Sequence, residues 1–207
     1  MRKGIIVSFE GIDGCGKSTQ AKLFCKYLHK KGLDYVLLNE PGGTATGEKI
    51  RKILLDNRSK ICPLSELFLY LASRGQLVEE VVRPYVNERK IIVLDRYIDS
   101  TTAYQGYGRG IPLNLIRYIH RVLVRDLIPD ITFLIDTPTR NLLPVLKNKK
   151  KDRIEKESFE FQEKVRNGYL RIAKYDKKRI KVIKRKTVVL TQRDIIKEWE
   201  RFIDEYR

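Results

Sequence analysis

A glycine-rich stretch near the start of the chain contains the residue types that hold phosphate. Residues 9–20 read FEGIDGCGKSTQ, in which three glycines lead into Lys17 and Ser18. Glycine lets a tight loop point its N–H groups at an anion, and the lysine adds a positive charge for the terminal phosphates. The serine hydroxyl can ligate Mg²⁺, and a helix that begins here directs its positive end towards the anion. The stretch therefore predicts a loop for the triphosphate tail of a nucleotide.

Two other pairs of residues fit phosphate chemistry. In KIIVLDRY, Asp95 ends a predicted buried strand, where enzymes with a phosphate loop position or hydrate Mg²⁺, and Arg96 follows, suited to face the transferring phosphoryl group. The alternative for Asp95 is an aspartate that caps a loop. Tyr70 and Arg74 are four residues apart on a helix predicted over 63–83, so they share a face. A ring can stack on a base and a guanidinium can bind phosphate, although such pairs also occur in surface packing.

The elements that must position these residues alternate along the chain. Short runs of β-branched and aliphatic residues are separated by helix-length segments, which predicts βαβ units and a parallel sheet covered on both faces. The predicted helices include 18–31, which ends at Gly32, 158–174, and a C-terminal helix around 195–203. The predicted strands lie at 5–7, 35–38, 91–94, 131–135 and 188–190.

Length and composition favour one globular domain over residues 1–207, with 42% hydrophobic residues. No apolar run approaches the roughly 18 residues that span a bilayer, so no membrane partner is expected. The apolar stretch near the N-terminus is too short for a secretory signal, which predicts a cytoplasmic protein.

The three cysteines lack CxxC spacing and are predicted to be reduced thiols. Cys15 lies near a helix N-terminus, which can lower the pKa of a thiol, but a small residue tolerated in the loop is the favoured interpretation. His29 and His120 occur singly in polar helical contexts and are predicted to be bystanders.

The formal net charge of +17 is compatible with a solvated surface or with a polyanionic partner. The positive excess is concentrated in the last third of the chain and includes the segment KNKKKDR at 147–153, predicted to be a flexible basic loop. A nucleic acid and a nucleotide triphosphate would both be attracted by this positive charge, so the charge alone favours neither. No helicase-like second half and no RNA-binding motif with interleaved aromatic residues is present, so no nucleic-acid partner is expected.

Five sequence blocks together resemble the thymidylate kinase family, and the resemblance extends over nearly the whole chain. The third and fourth blocks, in this order and at this spacing after a phosphate loop, are far more specific than the loop itself. The blocks are FEGIDGCGKSTQ (9–20), NEPGGTATGEKIRKILL (39–55), LFLYLASRGQLVEEVVRP (67–84), DRYIDSTTAYQGYGRGI (95–111) and DRIEKESFEFQEKVRNGYL (152–170).

The resemblance implies an α/β fold of the P-loop NTPase class and nucleoside monophosphate kinase type. This fold has three α/β/α layers, a five-stranded parallel sheet and a mobile lid at about 143–157. It also implies that ATP phosphorylates dTMP to dTDP with Mg²⁺, and that the protein is a homodimer packed through helices.

The resemblance also implies roles for individual residues. Arg51, Arg74 and Arg96 would bind the dTMP phosphate, and Tyr70 would stack on thymine. Asp13 would face the sugar hydroxyl, and Pro41 would shape the monophosphate pocket. Ser18 and Asp95 would serve the metal, whereas Lys17, Arg96 and Arg153 are the predicted catalytic residues. The base and sugar would contact Ser100, Thr101, Tyr104 and Gln105. The ATP phosphates would be held by Gly11, Ile12, Asp13, Gly14, Cys15, Gly16, Lys17, Ser18 and Thr19.

The sequence departs from the family at two places. Relatives commonly have phenylalanine where this chain has Tyr70, and they carry several arginines before the DR of the lid. Here the phosphate loop has no arginine, and the lid before Arg153 has lysines, of which Lys147, Lys149 and Lys151 are weaker catalytic candidates. Lysine supplies charge but not a bidentate fork. Three alternatives stay open: relaxed choice between dTMP and dUMP, a nucleic-acid-binding P-loop protein, and a nucleotide-binding protein without catalysis.

Overall fold

Five strands form one all-parallel sheet in the order β2-β3-β1-β4-β5. The computed structural model describes residues 4–142 and 152–206. Because parallel strands need crossover connections, each pair is linked by helical segments, as the alternating pattern predicted. The strands are β1 (Ile5–Glu10), β2 (Tyr35–Asn39), β3 (Ile91–Asp95), β4 (Ile131–Asp136) and β5 (Ile180–Lys184).

The helices lie between the strands and at the C-terminal end. A π-helical stretch at Val78–Val82 joins α3 to α4, a second one at Thr102–Gly108 continues α5, and a 3₁₀ turn occupies Thr139–Leu142. The α-helices are α1 (Lys17–Lys30), α2 (Ala45–Leu55), α3 (Pro63–Leu77), α4 (Arg83–Asn87), α5 (Ile98–Thr101), α6 (Leu113–Val124), α7 (Phe159–Tyr175) and α8 (Val188–Tyr206).

The predicted strand at 188–190 is wrong, because these residues begin α8. The hydroxyl of Thr187 accepts a hydrogen bond from the N–H of Leu190 at 3.3 Å, which is an N-cap contact for a helix. The fifth strand is instead Ile180–Lys184, which pairs with β4. A short apolar run is ambiguous between strand and helix, and here the cap decided in favour of the helix.

The two faces of the sheet bury separate hydrophobic cores. In β1, Ile5 and Phe9 belong to one core and Ile6 to the other, because successive strand residues point to opposite faces. On the first face, Phe24 of α1 packs edge-on against Trp199 of α8, with ring centroids 5.1 Å apart. Helices therefore cover both faces, which confirms the predicted three-layer α/β/α architecture.

The carboxyl ends of the strands lie along one edge of the sheet, where parallel α/β folds bind ligands. Glu10 ends β1 and Asp95 ends β3, and the register pairs Phe9 with Asp95. Residues that are far apart in sequence thus meet at this edge. Within the two described ranges, no helix is long and apolar enough to cross a membrane.

Candidate active site

The predicted phosphate loop connects the end of β1 to the start of α1. Gly11, Gly14 and Gly16 have φ values of 139°, 80° and 95°, in the region where glycine is least strained. A Cβ at Gly11 would lie 2.7 Å from the carbonyl oxygen of Ile135, so a side chain is also excluded there by space. Within residues 4–142 and 152–206, no side chain caps the N-terminus of α1, which leaves its first N–H groups for an anion.

A cavity of about 650 Å³ extends from this loop along the edge of the sheet. It is lined by loop residues, by α2 and α3, by the segment after β3, and by the described end of the predicted lid. Its lining includes these predicted site residues: Asp13, Gly14, Gly16, Lys17, Ser18, Thr19, Pro41, Arg51, Tyr70, Arg74, Asp95, Arg96, Ser100, Thr101, Tyr104 and Gln105. Among the predicted residues that the structure describes, Gly11, Ile12, Cys15 and Arg153 lie outside the lining.

Two cationic side chains converge on Asp13 in the middle of the cavity. Arg96 Nη2 lies 2.5 Å and Lys17 Nζ lies 3.3 Å from Asp13 Oδ1, and the hydroxyl of Tyr104 donates to Oδ2 at 3.0 Å. Burial acts to raise the pKa of Asp13, but the charges of Arg96 and Lys17 outweigh it and hold the pKa well below its usual range. Asp13 therefore stays ionised and joins the phosphate loop to the residues after β3.

Arg96 is held in an unusual backbone conformation at the end of β3. Its φ of 75° is uncommon for a residue other than glycine, and its backbone N–H donates to the carbonyl of Phe9 at 3.0 Å. Besides its bond to Asp13, its Nη1 donates to Gly11 O at 3.1 Å and to Ser100 Oγ at 3.0 Å. The guanidinium also lies over the ring of Tyr104, 4.9 Å from its centroid. These contacts place Arg96 between the phosphate loop and the segment after β3, which line two different parts of the cavity.

Arg74 is buried, with 1% of its side chain exposed, and every N–H of its guanidinium has a protein partner. Its Nε and Nη2 donate to Glu40 Oε2 at 2.7 and 2.5 Å, and Nη2 also donates to the carbonyl of Tyr97 at 3.0 Å. Its Nη1 reaches Thr101 Oγ1 at 2.7 Å and His120 Nε2 at 3.1 Å. A direct contact with phosphate would require Arg74 to exchange one of these bonds.

The expectation that His120 is a bystander is wrong. Arginine can only donate, so Nε2 of His120 must accept, and the imidazole proton is assigned to Nδ1. Burial, together with the positive charge of Arg74, lowers the pKa of His120 from 6.5 to about 3. A single histidine in a helix carries no sequence signal for this role, because its partner lies 46 positions away.

The acceptor half of the cavity is built from the segment after β2 and from α2 and α3. Arg51 Nη1 donates to the carbonyl of Pro41 at 2.6 Å, which ties α2 to that segment. Tyr70 lies one turn before Arg74 on α3, as the four-residue spacing predicted. Burial, and then the charge of Glu66, raise the pKa of Tyr70, so its phenol stays protonated.

Arg153 lies outside the cavity lining, in a cluster around the buried carboxylate of Glu66. Its Nη1 is 2.7 Å from Glu66 Oε2, and its Nε donates to the carbonyl of Leu54 at 2.9 Å. Arg109 and Gln105 bind the same carboxylate. The catalytic role of Arg153 therefore stays a prediction, while its observed contacts anchor the described end of the lid to α3. Lys147, Lys149 and Lys151 lie outside the described residues.

The residues predicted to serve a metal have the chemistry for Mg²⁺. Asp95 Oδ1 is buried and has no hydrogen-bond partner among the described residues, and Ser18 is exposed at the start of α1. Across the part of the chain that the structure describes, no group of three or more His, Cys, Asp or Glu residues is placed to hold a metal. The carboxylate of Asp95 and the hydroxyl of Ser18 together fit Mg²⁺, which commonly takes one or two carboxylates and completes its shell with phosphate oxygens and water.

Cys15 does not have an activated thiol. Its side chain is 1% exposed, and burial raises its pKa, which outweighs the lowering effect of Lys17. The alternative of a small residue tolerated in the loop is therefore the one that the structure supports.

The buried state of His120 makes a testable contribution to stability. His120 is neutral when folded, and its folded pKa lies below the unfolded value, so the unfolded state alone takes up a proton as the pH falls through 6.5. The stability advantage of the wild type over His120→Gln should shrink by about 2 kcal/mol between about pH 7.5 and about pH 5. Urea unfolding at both pH values measures this change.

The other histidine provides the matched control for this measurement. His29 is exposed at the end of α1, so His29→Gln should leave the free energy of unfolding at about pH 7.5 close to that of the wild type. An advantage over His120→Gln that stays constant with pH would show that His120 is not buried in its neutral form.

Comparisons with known proteins show the family to which this chain belongs. The thymidylate kinase family profile matches residues 9–195. The chain is 47% identical to the thymidylate kinase of Caldanaerobacter subterraneus over 83% of each chain. It is 43% identical to that of Fervidobacterium nodosum over 96% of this chain and all of the relative. The crystal structure of thymidylate kinase from Ehrlichia chaffeensis superposes with a TM-score of 0.80 at 34% identity, covering 95% of this chain and 98% of that one. The chain therefore belongs to the thymidylate kinase family.

Proposed function

We propose that this chain transfers the γ-phosphoryl group of ATP to the phosphate of dTMP, with Mg²⁺, and so produces ADP and dTDP in the synthesis of dTTP. Family membership supports the reaction. The observation that carries the proposal is the meeting of Lys17 and Arg96 at Asp13, between the phosphate loop and the acceptor half of the cavity. Two anionic phosphates can approach each other there because positive charge lies on both sides.

The donor side of the proposed reaction is the phosphate loop. Backbone N–H groups of the loop and of the first turn of α1, together with the ammonium of Lys17, hold the terminal phosphates of ATP. Ser18 and Asp95 would hold Mg²⁺, which neutralises charge on the phosphate oxygens when bound. Lys17 is 7% exposed, so its charge acts where little water screens it.

The acceptor side is the half of the cavity between α2, α3 and the segment after β3. Arg96, with Arg51, binds the dTMP phosphate and sets its oxygen in line with the donor. Tyr70 stacks on thymine, and Thr101, Tyr104 and Gln105 line the base and sugar region. No general base is needed, because the attacking phosphate oxygen is already ionised. Closure of the lid would exclude water that competes as acceptor.

Acceptor choice tests the proposed function. With ATP and Mg²⁺, turnover should be highest for dTMP among dTMP, dUMP, dGMP and UMP. The 5-methyl group is worth only about 1–3 kcal/mol in an apolar pocket, so dUMP should retain measurable turnover. Equal kcat/KM for dTMP and dUMP would support the relaxed-specificity alternative, and no turnover of any of the four would refute the kinase assignment.

Lys17 provides a test of the donor side. We expect Lys17→Ala to lower kcat by about a thousandfold, because it removes the positive charge on the transferring group. A coupled assay of ADP release measures the rate, and thermal melting verifies the fold. The matched control is Lys26→Ala on the exposed face of the same helix, which should leave the rate unchanged. A folded Lys17→Ala variant with wild-type turnover would remove this residue from the mechanism.

We also propose that the chain forms a homodimer through α3 and α6, and that it is cytoplasmic. The two helices pack against each other through a small core that includes Leu67, Leu71 and Ile116. Each helix also leaves large apolar side chains exposed, notably Phe68 at 52% and Tyr118 at 64%. Apolar side chains repeated on neighbouring helices favour a second protein surface as their partner.

The proposed interface can be tested by charge substitution. Phe68→Asp combined with Tyr118→Asp should convert the wild-type dimer to a monomer, because each protomer would have to bury two carboxylates at the interface. Light scattering coupled to size exclusion measures the mass. Tyr175→Asp is the control, since Tyr175 is 88% exposed on α7. A wild-type monomer, or a dimer that survives the double change, contradicts this interface.

A further inference from the structure

A buried carboxylate that no part of the proposed reaction uses lies directly before the phosphate loop. Glu10 is the last residue of β1 and is fully buried. Its Oε1 accepts the backbone N–H of Tyr97 at 2.7 Å. Its Oε2 accepts the hydroxyls of Ser100 at 2.6 Å and of Tyr169 at 3.0 Å. Three donors from two other parts of the chain therefore converge on one carboxylate.

The same two hydroxyls also hold Arg96. Its Nη1 donates to Ser100 Oγ at 3.0 Å and to Tyr169 Oη at 3.2 Å, and these two oxygens are 2.7 Å apart. A hydroxyl that gives its hydrogen to a carboxylate presents its lone pairs to a second donor. Glu10 is thus connected to the guanidinium by two parallel paths, each through one hydroxyl.

We propose that Glu10 is a positioning residue for Arg96, which it orients towards the acceptor phosphate through the hydroxyls of Ser100 and Tyr169. This inference rests on the proposed function, in which Arg96 binds that phosphate. Glu10 does not touch substrate in this arrangement. Its effect reaches the reaction only through the placement of Arg96, so it should act on the acceptor and not on ATP.

The surroundings of Glu10 bring its ionisation into the pH range of an activity assay. Burial and the nearby carboxylate of Asp99 raise its pKa to about 7, against the lowering effects of Ser100, Arg96 and the N–H of Tyr97. Asp99 is itself paired with Arg179, with oxygen-to-nitrogen distances of 2.6 and 3.0 Å. The cation of Arg74 and the phenol of Tyr169 also face Glu10. The charge-assisted bonds to both hydroxyls are strongest when Glu10 is ionised.

The experiment compares the wild type with Glu10→Gln by the pH profile of kcat/KM for dTMP. Gln has the shape of the protonated carboxyl, so the variant should be about tenfold slower at about pH 8 and close to the wild type at about pH 5.5. The phosphate of dTMP also titrates at about pH 6. The acid limb should therefore show two ionisations in the wild type and one in the variant, while KM for ATP stays unchanged.

Tyr169→Phe and the double variant test whether Glu10 acts through the hydroxyls. Tyr169→Phe should lower kcat/KM for dTMP. In the double variant, the fold-loss in kcat/KM should be smaller than the product of the fold-losses in the two single variants. The control Glu160→Gln changes an exposed carboxylate on α7 and should match the wild type. If Glu10→Gln does not fold, Tyr169→Phe decides alone, and an unchanged kcat/KM for dTMP overturns the inference.

The two proposals fail in different ways. No turnover of dTMP by the wild type overturns the proposed function and the role of Glu10 with it. Turnover in the wild type with two ionisations on the acid limb of Glu10→Gln overturns only the role of Glu10. A rise in KM for ATP as large as the loss in kcat/KM for dTMP also overturns it, since it would show a general structural effect.

Discussion

The ion pair between Arg96 and Asp13 is the interaction on which the rest of the site depends. Both side chains are largely removed from water, at 16% and 17% exposure, and such a pair is stable only when its remaining hydrogen-bonding groups are also satisfied. Tyr104 and Lys17 donate further hydrogen bonds to the carboxylate of Asp13. The guanidinium of Arg96 donates further hydrogen bonds to Gly11, Ser100 and Tyr169. The contacts of this ion pair therefore link the segments after β1 and β3 to α5 and α7 at this edge of the sheet.

A second buried arginine organises the acceptor half in the same way. Arg74 brings together Glu40 after β2, Thr101 on α5 and His120 on α6. His120 can serve there because it is neutral, since a second cation beside the guanidinium would be repelled. The helix that carries His120 is also the one that exposes Tyr118, so the proposed dimer helix contacts Arg74 of the cavity wall through His120 and packs on α3 through Ile116.

Buried carboxylates bind many of the arginines that contribute to the high positive charge. Glu10, Glu40, Glu66 and Asp99 are all buried, and each one contacts an arginine directly or through a hydroxyl. The arginines at the site are thus held by acids inside the protein, whereas most of the lysines in the described ranges are not part of these networks. The net charge of +17 by itself could not separate these two groups.

The sequence by itself determined the local features whose signal lies within a few residues. The glycine spacing, Lys17 and Ser18 defined the phosphate loop, the β-branched runs defined the first four strands, and the four-residue spacing placed Tyr70 beside Arg74. The strand at 188–190 failed because a three-residue apolar run does not distinguish a strand from a helix start. The family blocks also predicted most of the cavity lining, and three of them, at 9–20, 39–55 and 95–111, lie at the ends of strands that a parallel sheet brings to one edge.

Only the tertiary structure decided which charges are buried together. Glu10 and Tyr169 are 159 positions apart, and Arg74 and His120 are 46 apart, so no local pattern links them. The pKa shifts of Glu10, Cys15 and His120 follow from loss of water, which depends on the packing of several elements at once. Sequence spacing therefore identifies the groups that could meet phosphate, and burial decides which of them are held in place and in which protonation state.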